Sequence, residues 1–182
     1  MSAREALRSG TAAAHDRVDA LFSRFDLADP GSYRRFLSAQ AEAFLPVEAT
    51  IDAAGAEDLL PDWPDRRRSL LLTADLERLG CPPPDGEAVP PFAGPAGLLG
   101  AIYVLEGSRL GGGLLRRQVP DHLPRTFLDA VHPPGSWRKL LDKLETTLYA
   151  PESRQAAVRS ATEVFERFEA AARHYLEIDK GE

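Results

Sequence analysis

Apolar residues recur every three or four positions through most of this chain. The clearest case is the segment 151–178. Its apolar stripe consists of Val158, Ala161, Phe165, Phe168, Ala172 and Tyr175. This spacing is typical of an α-helix that buries one face. No segment of convincing length alternates apolar and polar residues as a half-exposed strand does. The pattern therefore predicts an all-α fold.

The same periodicity predicts further helices. Residues 3–22 carry a stripe with a histidine, His15, in the middle of the face that we expect to be buried. A second helix is predicted to follow Ser32 as its N-cap, and Pro46 is expected to kink it or to end its first half. A third helix, closed by Gly80, is predicted to begin at the arginines 66–68, which we expect to be solvated. Residues 119–131 predict a short helix, and residues 136–148 another.

One proline-rich segment interrupts these patterns. Residues 81–95 contain six prolines and cannot form a helix or a central strand. The helical segments on either side are each too short to build a core alone, so we expect a surface loop within one domain. The sequence predicts a single helical-bundle domain over residues 1–182.

Composition limits the compartment and the partners. The net charge of the 182 residues is -6, which argues against nonspecific binding to nucleic acid or to an anionic membrane surface. The longest apolar run, residues 96–105, is far shorter than the ~20 residues of a membrane span. A single cysteine, Cys81, fits a reducing compartment, and the charged N-terminus does not resemble a signal peptide. We therefore expect a cytoplasmic protein without nucleic-acid or membrane partners.

Residues 103–118 combine helical periodicity with an unusual number of glycines. Four of the seven positions from 107 to 113 are glycine, and each costs about 1 kcal/mol relative to alanine inside a helix. Gly107 and Gly111 are four residues apart and form one groove, with Ser108 and Gly112 in the adjoining row. The groove could receive a neighbouring helix, or the last glycines could simply end the helix. Alternatively, it faces a planar ligand.

His15 has two interpretations as well. A lone histidine on an apolar helical face is commonly a core residue. Arg8, however, lies seven residues earlier, which places it on the same face about 10 Å away along the helix axis. A flat cofactor with one metal and an acidic edge could contact both side chains. Motifs of common hydrolases, phosphate-loop enzymes and dinucleotide-binding enzymes are absent from the sequence.

Two motifs resemble the bacterial haem oxygenase family, including members that are associated with phytochromes. The pattern L-R-x-x-T-x-x-x-H is matched by Leu7, Arg8, Thr11 and His15. The pattern E-G-S-x-L-G-G is matched by Glu106, Gly107, Ser108, Leu110, Gly111 and Gly112. The resemblance implies an all-α haem-oxygenase-like bundle.

The family pattern also implies roles for particular residues. His15 would be the axial iron ligand in a haem site that includes Arg8 and Thr11. Gly107, Ser108 and Gly111 would form the catalytic part of the distal helix, with Gly112 beside them. Tyr103 and Arg8 match positions near the haem propionates. The basic residues Arg138 and Lys139 of the later helix are further candidates for the propionates.

Two positions depart from the family pattern, and one of them is Gly113, a third glycine that follows Gly111 and Gly112. Arg109 stands where relatives carry a smaller polar residue. Since it lies about 200° round the helix from Gly107, we expect its side chain on the surface.

The implied activity is the cleavage of haem to biliverdin, carbon monoxide and ferrous iron. Haem would be both substrate and cofactor, O2 the co-substrate, and a separate reductase or ferredoxin the electron donor. A bacteriophytochrome that receives the bilin is a further expected partner of the phytochrome-associated type. Two alternatives remain. The chain could be a haem-oxygenase-like protein that binds or senses haem, or contacts another protein, without turnover. A di-iron helical bundle is disfavoured because paired Glu-x-x-His motifs are missing.

Overall fold

A computed structural model describes residues 1–178. Seven α-helices run through them, with no strand in this part of the chain. Their bounds are Ala3–Phe22 (α1), Pro30–Ala53 (α2), Ser69–Arg78 (α3), Gly94–Leu115 (α4), Thr126–Asp129 (α5), Ser136–Thr147 (α6) and Pro151–Ile178 (α7). The all-α prediction is confirmed. None of these helices is long and apolar enough to cross a membrane.

The beginning of α1 is held by two caps. Ser2 and Glu5 form a capping box, in which each side chain accepts a hydrogen bond from the other residue's backbone N–H. In addition, the carboxylate of Glu145 in α6 accepts the amides of Ala3 at 2.9 Å and Arg4 at 3.1 Å. These amides have no intrahelical acceptor, so Glu145 joins α6 to the start of α1.

The second helix begins earlier than predicted. Asp29 is the N-cap and accepts the backbone N–H of Ser32 at 2.6 Å, whereas the Ser32 hydroxyl accepts the amide of Asp26. The predicted N-cap at Ser32 is therefore wrong. Pro30 occupies the first helical turn, where its missing N–H leaves no bond unmade. Pro46 lies inside the helix, which continues to Ala53.

Close approach of α4 to α7 depends on two glycines near the beginning of α4. A Cβ atom at Gly100 would lie within van der Waals overlap of the carbonyl oxygen of Ala157, and one at Gly97 would lie 2.8 Å from Ser160 Oγ. Both α4 and α1 pack mainly along α7 rather than against each other. This arrangement leaves a gap between α1 and α4, with α7 as its floor.

The connecting segments differ in how well the sequence predicts them. Residues 81–93 contain no helix, as the prolines predict. The segment 119–131 contains only the four helical residues of α5, and Pro120 and Pro124 both precede them, so the predicted helix is shorter than expected. Buried Asp75 of α3 anchors α5 by accepting the Thr126 hydroxyl at 2.6 Å and the Phe127 amide at 2.8 Å.

Candidate functional site

A cavity of about 730 Å³ occupies the gap between α1 and α4. Both sequence motifs contribute to its walls. Most of the predicted site residues line it: Arg8, Thr11, His15, Tyr103, Gly107, Ser108, Gly111 and Gly112. Phe165 and Phe168 of α7 form its floor. The two motifs, which are separated by about ninety positions of sequence, thus face one space.

His15 lies on the wall that α1 contributes. Its side chain is 55% exposed and opens into the cavity, so the expectation that His15 lies within a buried helix face is wrong. Its neighbours on the stripe, Leu7 and Thr11, are buried, and the Thr11 hydroxyl donates to the Leu7 carbonyl at 2.8 Å. Along this stripe of α1, Leu7 and Thr11 are therefore buried in the protein, whereas His15 faces the cavity.

Two contacts orient the imidazole of His15. Nδ1 lies 3.4 Å from Oδ2 of Asp19, one helical turn further along, and the ring meets Phe165 edge-on with a centroid distance of 5.6 Å. A proton on Nδ1 directed at Asp19 leaves the lone pair of Nε2 free to bind a metal. Asp19 was not among the predicted site residues. Its position four residues after His15 was the available signal.

The glycines of α4 divide into two groups. A Cβ atom added at Gly107 or Gly111 would have no neighbouring atom within 4 Å, whereas one at Gly112 would lie 3.2 Å from the carbonyl oxygen of Leu128. A helix therefore does not pack into the groove of Gly107 and Gly111, which instead faces the open cavity. Gly112 permits the close approach of α5. Gly113 neither lines the cavity nor has a close neighbour.

A basic edge of the cavity surrounds Tyr103. Arg4 and Arg8, one turn apart on α1, both line the cavity, and no carboxylate within residues 1–178 pairs with either of them. Burial raises the pKa of Tyr103, while the charges of Arg4 and Arg8 oppose that rise. The Tyr103 hydroxyl is therefore a neutral donor beside two free guanidinium groups. Arg4 was not among the predicted site residues, although it lies four residues before Arg8 in the sequence.

The two basic residues proposed on the later helix lie elsewhere. Arg138 is 88% exposed and pairs with Asp142, and Lys139 contacts Asp62 at 3.4 Å. Neither residue lines the cavity. The structure thus does not bring Arg138 and Lys139 together with the other predicted site residues.

Arg109 is not on the surface, so that expectation is wrong. Its side chain is 3% exposed and lies 3.2 Å from the Glu106 carboxylate. It also donates to the carbonyl oxygens of Val131 and Arg66. Glu106 in turn accepts a hydrogen bond from the guanidinium group of Arg66 at 3.0 Å. The Glu106 carboxylate and two carbonyl oxygens distant in the sequence offset the burial of Arg109, and the helical angle alone could not indicate those two carbonyls.

The arginines 66–68 are also not a solvated helix start. Arg66 and Arg68 are buried, and only Arg67 is exposed. Asp62 forms an ion pair with Arg66. Burial would raise the pKa of Asp62, but hydrogen bonds from Arg66 and Lys139 lower that pKa below its usual value. Arg68 lines the cavity, as does Gln40 of α2. Neither was predicted, because no local pattern distinguishes a buried arginine from a solvated one.

The histidines and acids of residues 1–178 form no cluster of three or more that could hold a metal ion. This finding argues against the di-iron alternative. A porphyrin brings its own nitrogen donors, so a haem iron would need no such cluster.

Known proteins support the resemblance. No protein-family model matches the chain. A haem oxygenase from Xanthomonas campestris pv. campestris is 35% identical over 130 residues, which are 63% of this chain and 78% of that protein. Haem oxygenase PigA from Pseudomonas aeruginosa is 28% identical over 85% of this chain and 83% of that protein.

Solved structures agree. The haem oxygenase of Neisseria meningitidis, crystallised with NO and CO, superposes with a TM-score of 0.78 at 26% identity, covering 96% of this chain and 92% of that one. The haem oxygenase of Leptospira interrogans, at 18% identity and a TM-score of 0.71 over 94% and 98% of the chains, shares the fold. Identity to the Xanthomonas protein over most of its length, together with these folds, shows that the chain belongs to the bacterial haem oxygenase family.

Proposed function

We propose that this protein is a haem oxygenase, which uses O2 and externally supplied electrons to cleave haem to biliverdin, carbon monoxide and ferrous iron. The observation that carries the proposal is the cavity where His15 and the bare backbone of Gly107 and Gly111 meet. Membership of the haem oxygenase family supports the same activity.

The residues of the cavity fit a haem. Gly107 and Gly111 leave free space that side chains would fill, and the floor is aromatic. Nε2 of His15 would hold the iron, since Nδ1 faces Asp19. Bound haem would supply an iron that activates dioxygen. Gly107 and Gly111 would present only backbone to the haem, since they offer no side chain that could ligate the iron.

The basic edge would seat the acidic edge of the haem. Arg4 and Arg8 carry free guanidinium groups, and Tyr103 keeps a neutral hydroxyl that can donate a hydrogen bond. Carboxylates form their strongest hydrogen bonds with such donors. We therefore assign the propionates to Arg4, Arg8 and Tyr103. Arg138 and Lys139 lack this support because they lie outside the cavity.

Electrons would come from a separate reductase or ferredoxin, since the sequence carries no nicotinamide or flavin motif. The exposed Arg116 and Arg117 at the end of α4 could contact an acidic donor protein. Delivery of the bilin to a bacteriophytochrome, and a cytoplasmic location, complete the proposal. The single cysteine supports the location.

The test follows the visible spectrum of the purified full chain after haemin is added. Binding should shift the Soret band, and ascorbate or a ferredoxin system under air should then replace that band with a bilin absorption and release iron. A stable haem spectrum without a bilin band would support the non-catalytic haem-binding alternative. Absence of any Soret shift would exclude both.

A further inference from the structure

The charges that α1 contributes to the cavity are distributed unevenly along the helix. Arg4 and Arg8 lie on the N-terminal side of His15, and both are exposed. Asp16 and Asp19 lie on its C-terminal side, and their side chains are 84% and 68% exposed. His15 therefore separates a basic section of this wall from an acidic one.

The acidic section belongs to the side of the cavity that opens to solvent. One flank of His15 holds Thr11, which is buried, and Val18, which is half-buried. The other flank holds Ala12 and Asp16, which are both exposed. All four residues line the cavity, so it opens to solvent beside Ala12 and Asp16. We call this the open side.

The two carboxylates of the open side are not neutralised by a permanent cation. Within residues 1–178, neither Asp16 nor Asp19 forms an ion pair with a lysine or an arginine. Nδ1 of His15 lies 3.9 Å from Asp16 and 3.4 Å from Asp19. A histidine that binds iron does so as a neutral imidazole, and a neutral ring does not cancel a carboxylate charge. The open side therefore carries negative charge.

Aromatic walls limit where the propionates of a bound haem can lie. Both propionates project from one edge of the ring, and a carboxylate buried among apolar groups without a partner is costly. Phe165 and Phe168 form the floor of the cavity. Beyond Asp19, the inner end is lined by Phe22, whose ring lies 5.7 Å from that of Phe36. The floor and the inner end therefore disfavour the propionates.

The buried arginines of the cavity wall offer no second seat for the propionates. Arg68 and Arg109 are only 3% and 6% exposed. The Glu106 carboxylate lies 3.2 Å from Arg109, and Nη2 of Arg68 donates to the Leu105 carbonyl and to Ser108 Oγ. Among the walls that residues 1–178 form, the open side is therefore the remaining alternative to the basic edge.

We propose that Asp16, together with Asp19, excludes the haem propionates from the open side, so that haem takes one orientation and one biliverdin isomer predominates. The inference rests on the proposed function. Repulsion between like charges raises the free energy of a haem rotated toward the open side, whereas Arg4 and Arg8 attract the propionates to the basic edge. The meso carbons of haem are related by quarter turns about the iron. The orientation therefore decides which meso carbon is lost as carbon monoxide.

Substitution of Asp16 tests the inference, because this side chain is exposed and Asp19 still orients His15. After turnover of haemin by the full chain, chromatography separates the biliverdin isomers. Asp16→Asn should raise the ratio of minor to major isomer by about threefold, and Asp16→Lys, which adds attraction, by about tenfold. The matched control is Glu163→Lys, an exposed position of α7 outside the cavity lining, which should keep the wild-type ratio.

Proton NMR of the ferric haem complex with cyanide shows the orientation without turnover, since the haem methyl groups give separate signals in each orientation. Asp16→Lys should add a second set of signals, which should weaken at about 0.5 M salt because salt screens exposed charges. A wild-type isomer ratio in Asp16→Lys, an equal change in Glu163→Lys, or a second set of signals insensitive to salt would overturn the inference.

Failure of the proposed function gives different results. If haemin binds and no bilin forms, the enzyme activity is wrong, and the NMR signals of Asp16→Lys still decide the orientation. If haemin does not bind the wild type, the proposed function and this inference both fail.

Discussion

The carboxylate of Glu106 lies 3.2 Å from Arg109 and 3.0 Å from Arg66, although all three side chains are nearly inaccessible to solvent. Glu106 and Arg109 belong to α4, and Arg66 precedes α3. The ion pairs therefore fix the glycine-bearing part of α4 to a separate segment. Glu106 holds the wall of the cavity in place without lining the cavity itself.

Glu106→Gln should destabilise the protein strongly. It removes the charge that neutralises two buried guanidinium groups, a change that typically costs about 3–5 kcal/mol. Denaturant unfolding of the haem-free protein measures the effect. Arg138→Gln, which breaks the exposed pair with Asp142, is the control and should leave the free energy of unfolding essentially unchanged. Equal effects of the two substitutions would show that the buried pairs contribute little.

His15→Ala should abolish haem turnover while the protein remains folded, and added imidazole should restore activity by replacing the lost ligand. The matched control is His174→Ala, since His174 pairs with Glu42 outside the cavity and its removal should preserve wild-type rates. Bilin formation in the haemin assay gives the rates. Normal turnover of His15→Ala would mean that another group binds the iron.

Gly107→Leu should block haem binding without unfolding the protein. The new side chain meets no protein atom near its Cβ and instead projects into the cavity. Gly113→Leu is the control, because position 113 is equally free of neighbours but lies outside the cavity lining. Both variants lose a helical glycine, so similar or slightly raised melting temperatures are expected. A normal Soret shift in Gly107→Leu would contradict the assignment of this wall.

Protonation of His132 should account for part of the stability that the protein loses as the pH falls below neutral. Burial, and the charges of Arg109 and Arg68, lower the pKa of His132 against the opposing effect of Glu106. As the pH falls through the unfolded pKa of about 6.5, the unfolded chain takes up the proton before the native state does, so the native state loses stability.

Replacement of His132 tests this pH dependence. His132→Gln should reduce the drop in melting temperature between about pH 7.5 and pH 5.5, a range that spans the unfolded pKa. The exposed His122 supplies the control, because His122→Gln should reproduce the wild-type profile. A His132→Gln profile identical to that of the wild type would assign the acid loss to other groups.

Glu145→Ala should loosen the start of α1. The substitution removes the acceptor of two helix N-terminal amides and should cost about 1 kcal/mol, or about 2–4 °C in melting temperature. Exposed Glu163 of α7 is the control, since Glu163→Ala removes the same charge elsewhere. Matching melting temperatures would indicate that Ser2 and Glu5 cap the helix sufficiently alone.

The sequence by itself determined that the chain is built of helices, where the proline loop lies and where both motifs lie, but not the exact bounds of every helix. Each depends on a local pattern. The spacing of apolar residues predicts the helices, prolines without a backbone N–H predict the loop, and each motif lies within one helix. Arg8, His15 and Gly107 could therefore be predicted as site residues. Their meeting in one cavity follows from the fold of the family that the two motifs resemble.

Only the tertiary structure decided which polar and small residues face the cavity. Arg68 and Arg109 are buried where carbonyl oxygens distant in the sequence accept hydrogen bonds from them, and no local pattern encodes those acceptors. Likewise, Gly100 and Gly112 contact other backbone segments whereas Gly107 faces open space. The sequence does not distinguish a glycine that contacts another segment from one that faces the cavity, because the distinction depends on which distant residues lie opposite the glycine in the fold.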